Sequence, residues 1–259
     1  MKTPRFRPLV AAVGTMLLAL SAQADKVTIA AAADLKFAMD DIVTAFKTSN
    51  PGEEIDVIYG SSGKFQAQIR QGAPYDLYFS ADISFARELE KAGFSASAVK
   101  PYAVGRIVLW SASRDATKMT LDSLIDPKIT RIAIANPKHA PYGKRAEEAL
   151  RASGLWDKLE SKLVYGENIA HTAQFVQTGN AQVGIIALAL AVNHVLAGRG
   201  GYWLVPDTLH TPLEQGFIIT QRATGNASAK RFADFMVGKQ ARAVMDSYGF
   251  ALPGEVTSK

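Results

Sequence analysis

Short apolar runs alternate with helical periodicity along almost the whole chain. Val27-Thr28-Ile29-Ala30 reads as a buried strand. Leu35, Ala38, Met39, Ile42, Ala45 and Phe46 follow at helical spacing, with Asp34 in the N-cap position and Pro51-Gly52 as the stop. Ile55 to Tyr59 predicts the next strand, a Ser-Ser-Gly turn follows, and a helix ends near Gly72. Leu77-Tyr78-Phe79 is apolar throughout, and Asp82 or Ser84 is placed to cap a helix carrying Phe85 and Leu89. The same alternation resumes near Gly105. Strands are predicted at Ile107–Trp110, Ile132–Ile134, Leu163–Tyr165, Val183–Ile186 and, at an edge, Tyr202–Val205. Helices open after Pro141-Tyr142-Gly143 and after Glu167-Asn168-Ile169. A last strand, Phe217 to Thr220, precedes two helices, Ser228 to Val237 and Gln240 to Tyr248. Strands alternating with helices imply α/β architecture with mainly parallel sheets covered on both faces. In such sheets ligands sit beyond the carboxyl ends of the strands.

Residues 1–24 break this pattern. Lys2, Arg5 and Arg7 precede an apolar stretch, Leu9 to Leu20, and the small-x-small site Ala22-Gln23-Ala24. These are the parts of a cleavable export signal. Removing it takes away three of the 29 basic residues and none of the 24 acidic ones, so the formal charge falls from +5 to +2. A nearly neutral chain without a basic run gives no footprint for nucleic acid. The sequence has no cysteine, which excludes disulfides, thiolate metal sites and a lipid-modified cysteine. An exported, unlipidated, soluble chain suits a Gram-negative periplasm. His139, His171, His194 and His210 show no paired metal spacing and are expected at the surface or the rim of a cleft. No residue is expected to act in catalysis, and no cofactor is implied.

The turn Gly60-Ser61-Ser62-Gly63 raises the question of what it holds. A nucleotide phosphate loop needs four residues between its glycines and a hydroxyl after its lysine. Here Gly60 and Gly63 are too close and Phe65 follows Lys64. Ser61-Ser62-Gly63-Lys64 satisfies Ser-x-x-Lys, the acyl-enzyme motif of some exported hydrolases, but neither Ser-Asp-Asn nor Lys-Thr-Gly occurs. The remaining reading, a free anion, asks only for unpaired helix N-terminal amides and serine hydroxyls. Five junctions of this kind occur, at Ala32-Ala33-Asp34, Ser61-Ser62-Gly63, Pro141-Tyr142-Gly143, Asn168-Ile169-Ala170 and Ile186-Ala187.

With those junctions in view the chain resembles the periplasmic molybdate-binding (ModA) family of the molybdate ABC transporter. The resemblance lies in Ala30-Ala31-Ala32-Ala33-Asp34-Leu35, in Ser61-Ser62-Gly63-Lys64 with Gln68-Ile69, and in Gly72-Ala73-Pro74-Tyr75-Asp76-Leu77 followed by Ser80-Ala81-Asp82. It continues through Asn136 to Gly143, Glu167-Asn168-Ile169, Val183-Gly184-Ile185 and Tyr248-Gly249-Phe250. It implies a two-lobe periplasmic binding protein fold of type II, with two interlobe crossings. The lobes would be residues 25–104 plus 215–259 and residues 105–214. It further implies a monomer that holds molybdate or tungstate between its lobes, with molybdenum present only as the oxyanion, and that serves a permease driven by a cytoplasmic ATPase.

Carried over position by position, the ligand contacts fall on Asp34, Ser62, Tyr142, Ile169 and Ala187, with Ser61, Lys64 and Lys144 behind them. Ser62 would give hydroxyl and amide, and Tyr142 and Ile169 amides only, leaving their side chains free to vary. Asp34 stands where the family has a hydroxyl residue, and Ala187 where it has a tyrosine. The expectation is that Asp34 caps its own helix with Lys64 or Lys144 as partner. The carboxylate also keeps open a carrier for phosphate, whose proton it could accept, or for another tetrahedral oxyanion. A Ser-x-x-Lys hydrolase ranks behind both.

Overall fold

The computed structural model describes residues 26–253 except 194, 195, 197 and 199. The leader reading and His194 therefore lie outside the described residues. Two five-stranded sheets form the two lobes. The first has the order β2-β1-β3-β10-β4, built from β1 (Val27–Ala32), β2 (Ile55–Gly60), β3 (Leu77–Ser80), β4 (Lys100–Gly105) and β10 (Leu213–Ile219). The second has the order β7-β6-β8-β5-β9, built from β5 (Ile107–Trp110), β6 (Ile132–Ala135), β7 (Leu163–Gly166), β8 (Val183–Ala187) and β9 (Tyr202–Leu204).

Each sheet is parallel apart from one reversed strand. β1 pairs in parallel with β2 and β3, and β10 runs antiparallel to β3 and β4. β6 pairs in parallel with β7 and β8, and β5 runs antiparallel to β8 and β9. The reversed strand is in each case the one that enters from the other lobe. β5 follows β4 after Arg106 alone, and β10 follows β9 across residues 205–212. Strand β4 was not predicted. Its Pro101 argues against a central strand, and the fold accommodates it at the sheet edge beside a register shift at Gln215/Gly216.

The core follows the hydrophobic pattern. Ala38, Met39, Ile42 and Phe46 of α1 (Lys36–Ser49) are buried against the first sheet. Phe46 meets Phe232 of a closing helix, Ala227–Met236, edge to face at 5.1 Å. Phe79 stacks on Phe217 at 4.7 Å, tying β3 to β10. The second lobe has its own cluster around Trp110, Ile132, Ile134 and Ile185. No helix among the described residues is long and apolar enough to cross a membrane.

Candidate functional site

Small residues bring the strand ends of both lobes together. β1 ends in Ala30-Ala31-Ala32 and runs into a tight 3-10 turn, Ala33–Leu35, whose three residues are all buried. β2 runs through Gly60 and Ser61 into α2 (Ser62–Arg70). From the second lobe come the starts of α4 (Pro141–Ala152) and α6 (Ile169–Gln177). The four termini surround a cavity of about 190 Å3 of atom-free space lined by Ala33, Asp34, Ser61, Ser62, Tyr142 and Ile169 among others. Only about 10 Å3 of it is open to the centre of a water-sized body, far below the roughly 300–1,000 Å3 of organic-ligand pockets. The lining contains no lysine, arginine or histidine. Among the described residues no group of histidine and acidic side chains is placed to hold a metal.

The donors are placed by the fold. In α4 the first intrahelical bond runs from Lys144 N to Ala140 O, so the Tyr142 and Gly143 amides have no acceptor within the helix. Pro141 stands at the start, where no donor is lost. In α6 Asn168 caps the helix by accepting from His171 N at 2.9 Å, and Ile169 N has no intrahelical acceptor. The Ser62 side chain is fully buried, and its Oγ accepts from Ala81 N at 3.0 Å, which leaves the hydroxyl proton to donate elsewhere. Tyr78 Oη anchors the same residue by donating to Ser62 O at 2.8 Å.

The lobes are closed over this space. Ser61 Oγ lies 3.0 Å from His139 Nδ1, and Gly63 N donates to His139 O at 3.0 Å. A Cβ on Gly63 would stand 2.9 Å from that carbonyl, so closure needs glycine there. Burial, and after it the Lys64 charge, hold His139 below its ordinary pKa and favour the neutral ring. Arg145 of α4 is buried and reaches Asp82 of the first lobe at 3.1 Å. Lys64 pairs with Glu167 across the outer seam, both about half exposed. Beside the cavity, and sharing Ala33 with it, lies an open groove of about 900 Å3 of atom-free space lined by Lys36, Phe37, Tyr59 and Gln174. The groove is larger, but of the helix starts only that of α6 lines it, through Asn168 and Ala170, whereas the smaller space is shared by helix starts of both lobes.

Asp34 behaves differently from expectation. Its carboxylate does not cap its turn, and neither lysine reaches it. Lys64 is committed to Glu167, Lys144 is exposed, and neither lines the cavity. Asp34 is 1% exposed, so the side chain sits too deep for a solvated ammonium. Oδ2 accepts instead from Tyr142 Oη at 3.0 Å and Gln215 Nε2 at 2.8 Å. Burial pushes its pKa up to about 6 against the opposing effect of these two bonds and of the Asp34 and Leu35 backbone amides. The Tyr142 side chain is therefore not free to vary, since it is 2% exposed and bridges the lobes. A side chain at position 105 would strike its hydroxyl, with a Cβ only 2.2 Å away.

The structure thus gathers Asp34, Ser61, Ser62, Tyr142 and Ile169 around one space. Ala187 is buried at the end of β8, paired with Ile107, and does not line the cavity. His210 is buried as well, at 9% exposure, whereas the surface or the rim of a cleft was expected for it. Gln215 was missed. Its signal is a polar residue at an inward position of an otherwise apolar strand, Leu213–Ile219.

Residues 27–251 match the family model of bacterial extracellular solute-binding proteins. The chain is 37% identical to the molybdate-binding protein ModA of Azotobacter vinelandii, over 94% of this chain and 97% of that one. It is 35% identical to the molybdate-binding protein ModA of Rhodobacter capsulatus, over 91% and 92%. A solved structure of an Azotobacter vinelandii periplasmic molybdate-binding protein superposes with a TM-score of 0.83 at 30% identity, covering 88% of this chain and all of that one.

Proposed function

The chain belongs to the bacterial extracellular solute-binding proteins, in the ModA family, and from that premise we propose that it captures molybdate between its lobes and delivers it to an ABC transporter. The observation that carries this reading is the cavity: helix N-termini from both lobes and the Ser62 hydroxyl converge on a small buried space without a cationic side chain. Such a set compensates a compact dianion by many neutral donors.

In the proposal Ser62 gives its hydroxyl and amide, and Tyr142 and Ile169 give amides. Ser61 holds the wall through His139. Ala187 makes no contact. Tungstate, of nearly the same size as molybdate, is bound comparably. The lobes are residues 25–104 plus 215–259 and residues 105–214. The open form samples closure and the anion favours it by bridging both walls. The protein works as a monomer without a cofactor, reaches the periplasm through a cleaved leader, and docks closed on a permease powered by a cytoplasmic ATPase. As a carrier it does no chemistry on its cargo.

Isothermal titration with molybdate, tungstate, sulfate and phosphate tests the reading. Molybdate and tungstate should bind with similar affinity and sulfate far more weakly, because a smaller ion leaves buried amides unpaired. The Asp34 carboxylate favours one second reading, a phosphate carrier, since it can accept a proton that phosphate carries. Phosphate binding ahead of molybdate would establish that reading and sink the first.

A further inference from the structure

Asp34 is the one side chain lining the cavity that titrates near neutral pH, and half of it has no partner. Oδ2 takes both side-chain hydrogen bonds, while Oδ1 is buried without a well-aligned partner, and the Asp34 and Leu35 backbone amides beside the carboxyl offset only part of the burial penalty. An ionised, unpaired oxygen beside a dianion is unfavourable twice over, through lost solvation and through like charge. A proton on Oδ1 removes both penalties and turns an acceptor into a donor. Resting on the reading that the cavity takes molybdate, we propose that Asp34 is the specificity-setting proton donor of the site. Oδ1 is protonated in the complex and donates to an oxygen of the bound anion, so each molybdate enters with one proton. That proton moves from solvent to the carboxylate, and no bond of the anion breaks.

The surroundings fit a neutral carboxyl. Tyr142 of α4 and Gln215 of β10 donate to Oδ2, and Tyr102 of β4 stands close by. Burial holds both tyrosines far above their ordinary pKa, so they stay protonated. The elements packed on the Asp34 turn add Lys36 and Asp40 of α1, paired with each other, Tyr59 of β2, which donates to Asp40, and His171 of α6. α7 (Leu188–Ala191) carries no charge. Among the described residues no cation therefore pairs with Asp34. Burial, net of the hydrogen bonds that oppose it, brings the anion-free carboxyl to about 6, and a dianion in contact raises it further. Slightly above neutral pH the free protein is then mostly ionised and the complex protonated. An oxyanion that already carries a proton needs no uptake, because the ionised Oδ1 can accept its hydrogen bond. The two kinds of ligand are told apart by their proton count.

Calorimetric titration of the full mature chain with sodium molybdate, in paired buffers of low and high ionisation enthalpy at about pH 7.5, reads that count. The expected result is about one proton taken up per molybdate, with affinity falling about tenfold per pH unit above neutrality. Asp34→Asn carries a permanent amide donor and keeps an oxygen for Tyr142 and Gln215. It should bind molybdate with no proton uptake and a flat pH profile. Wild-type binding with no uptake and no pH dependence would overturn the proposal, as would an Asn variant that kept the wild-type slope. The wild-type count decides alone if the variant does not fold. An absence of molybdate heat at every pH would overturn the ligand assignment instead, and is distinct from heat with a proton count of zero.

Discussion

The two walls of the cavity are made of different materials. The first-lobe wall presents side chains: the Ser61 and Ser62 hydroxyls and the Asp34 carboxyl. The second-lobe wall presents the backbone of Tyr142 and Ile169 at helix starts, and its one polar side chain, Tyr142, turns away to Asp34. Amides fixed in helices cannot adjust their pKa or rotamer, whereas hydroxyls and a carboxyl can. The comparison teaches a division of labour. On the proposed function, one wall would set which anion is accepted, and the other would supply rigid donors that count only when the lobes are shut.

A wall made of backbone should fail when its backbone is moved. A Cβ on Gly143 would lie 2.0 Å from Ala135 O and 2.6 Å from Ala135 C, with no flexible side chain to give way. Gly143→Ala should therefore cost about 3 kcal/mol or more of stability and misplace the Tyr142 amide. Denaturant unfolding together with molybdate titration would show both. A variant as stable and as tight as wild type would mean that the second wall tolerates displacement.

The first wall should announce itself through pH. A carboxyl near 6 in the folded chain and near 4 unfolded binds protons more tightly when folded. The stability it contributes is fully present below about pH 4, is lost as pH rises through about 6, and is flat above. Two pKa units correspond to about 3 kcal/mol. The difference in unfolding free energy between wild type and Asp34→Asn, followed without ligand from about pH 4 to 7.5, isolates this term from other titrating groups. A difference that does not vary with pH would remove Asp34 from the titrating wall.

The fold was legible where one period dominates. Nearly every strand and helix around the site follows from apolar runs punctuated by Gly, Pro or an N-cap such as Asn168. What escaped depends on partners distant in sequence. β4 hid behind Pro101, which only an edge position excuses. The Asp34 partners come from residues 142 and 215, which no local pattern joins to position 34. An aspartate before an apolar helix looks like a cap, and only its burial reveals that the first turn encloses it. Ala187 was placed in the site by resemblance, yet a methyl side chain at the end of β8 does not reach the cavity.

Removing a hydroxyl from the selecting wall should have an intermediate effect. Ser62→Ala deletes one donor to the anion and leaves Ala81 N without its acceptor in a fully buried place. The cost is about 2 kcal/mol, or roughly thirtyfold in affinity. Titration with molybdate measures it. A fall of less than about twofold would take the Ser62 hydroxyl out of the selecting wall and leave Asp34 as its selecting side chain.

The smallest effect is expected at the seam outside both walls. Lys64 and Glu167 face each other from opposite lobes, and the lysine hydrogen bond and charge draw the glutamate below its ordinary pKa. The pair spans the two lobes, so on the proposed function it would act through the closure equilibrium. Its side chains are 45% and 50% exposed, and water and salt screen most of the attraction. Such pairs contribute at most about 1 kcal/mol. Lys64→Met should therefore weaken molybdate binding less than about fivefold and flatten what salt dependence the wild type shows. The buried links, Ser61 to His139 and Tyr142 to Asp34, remain to hold the lobes together. A loss well beyond tenfold would place a cation in direct service of the anion. The claim that neutral groups alone compensate the charge would then fail at the residue nearest the Ser-Ser-Gly turn.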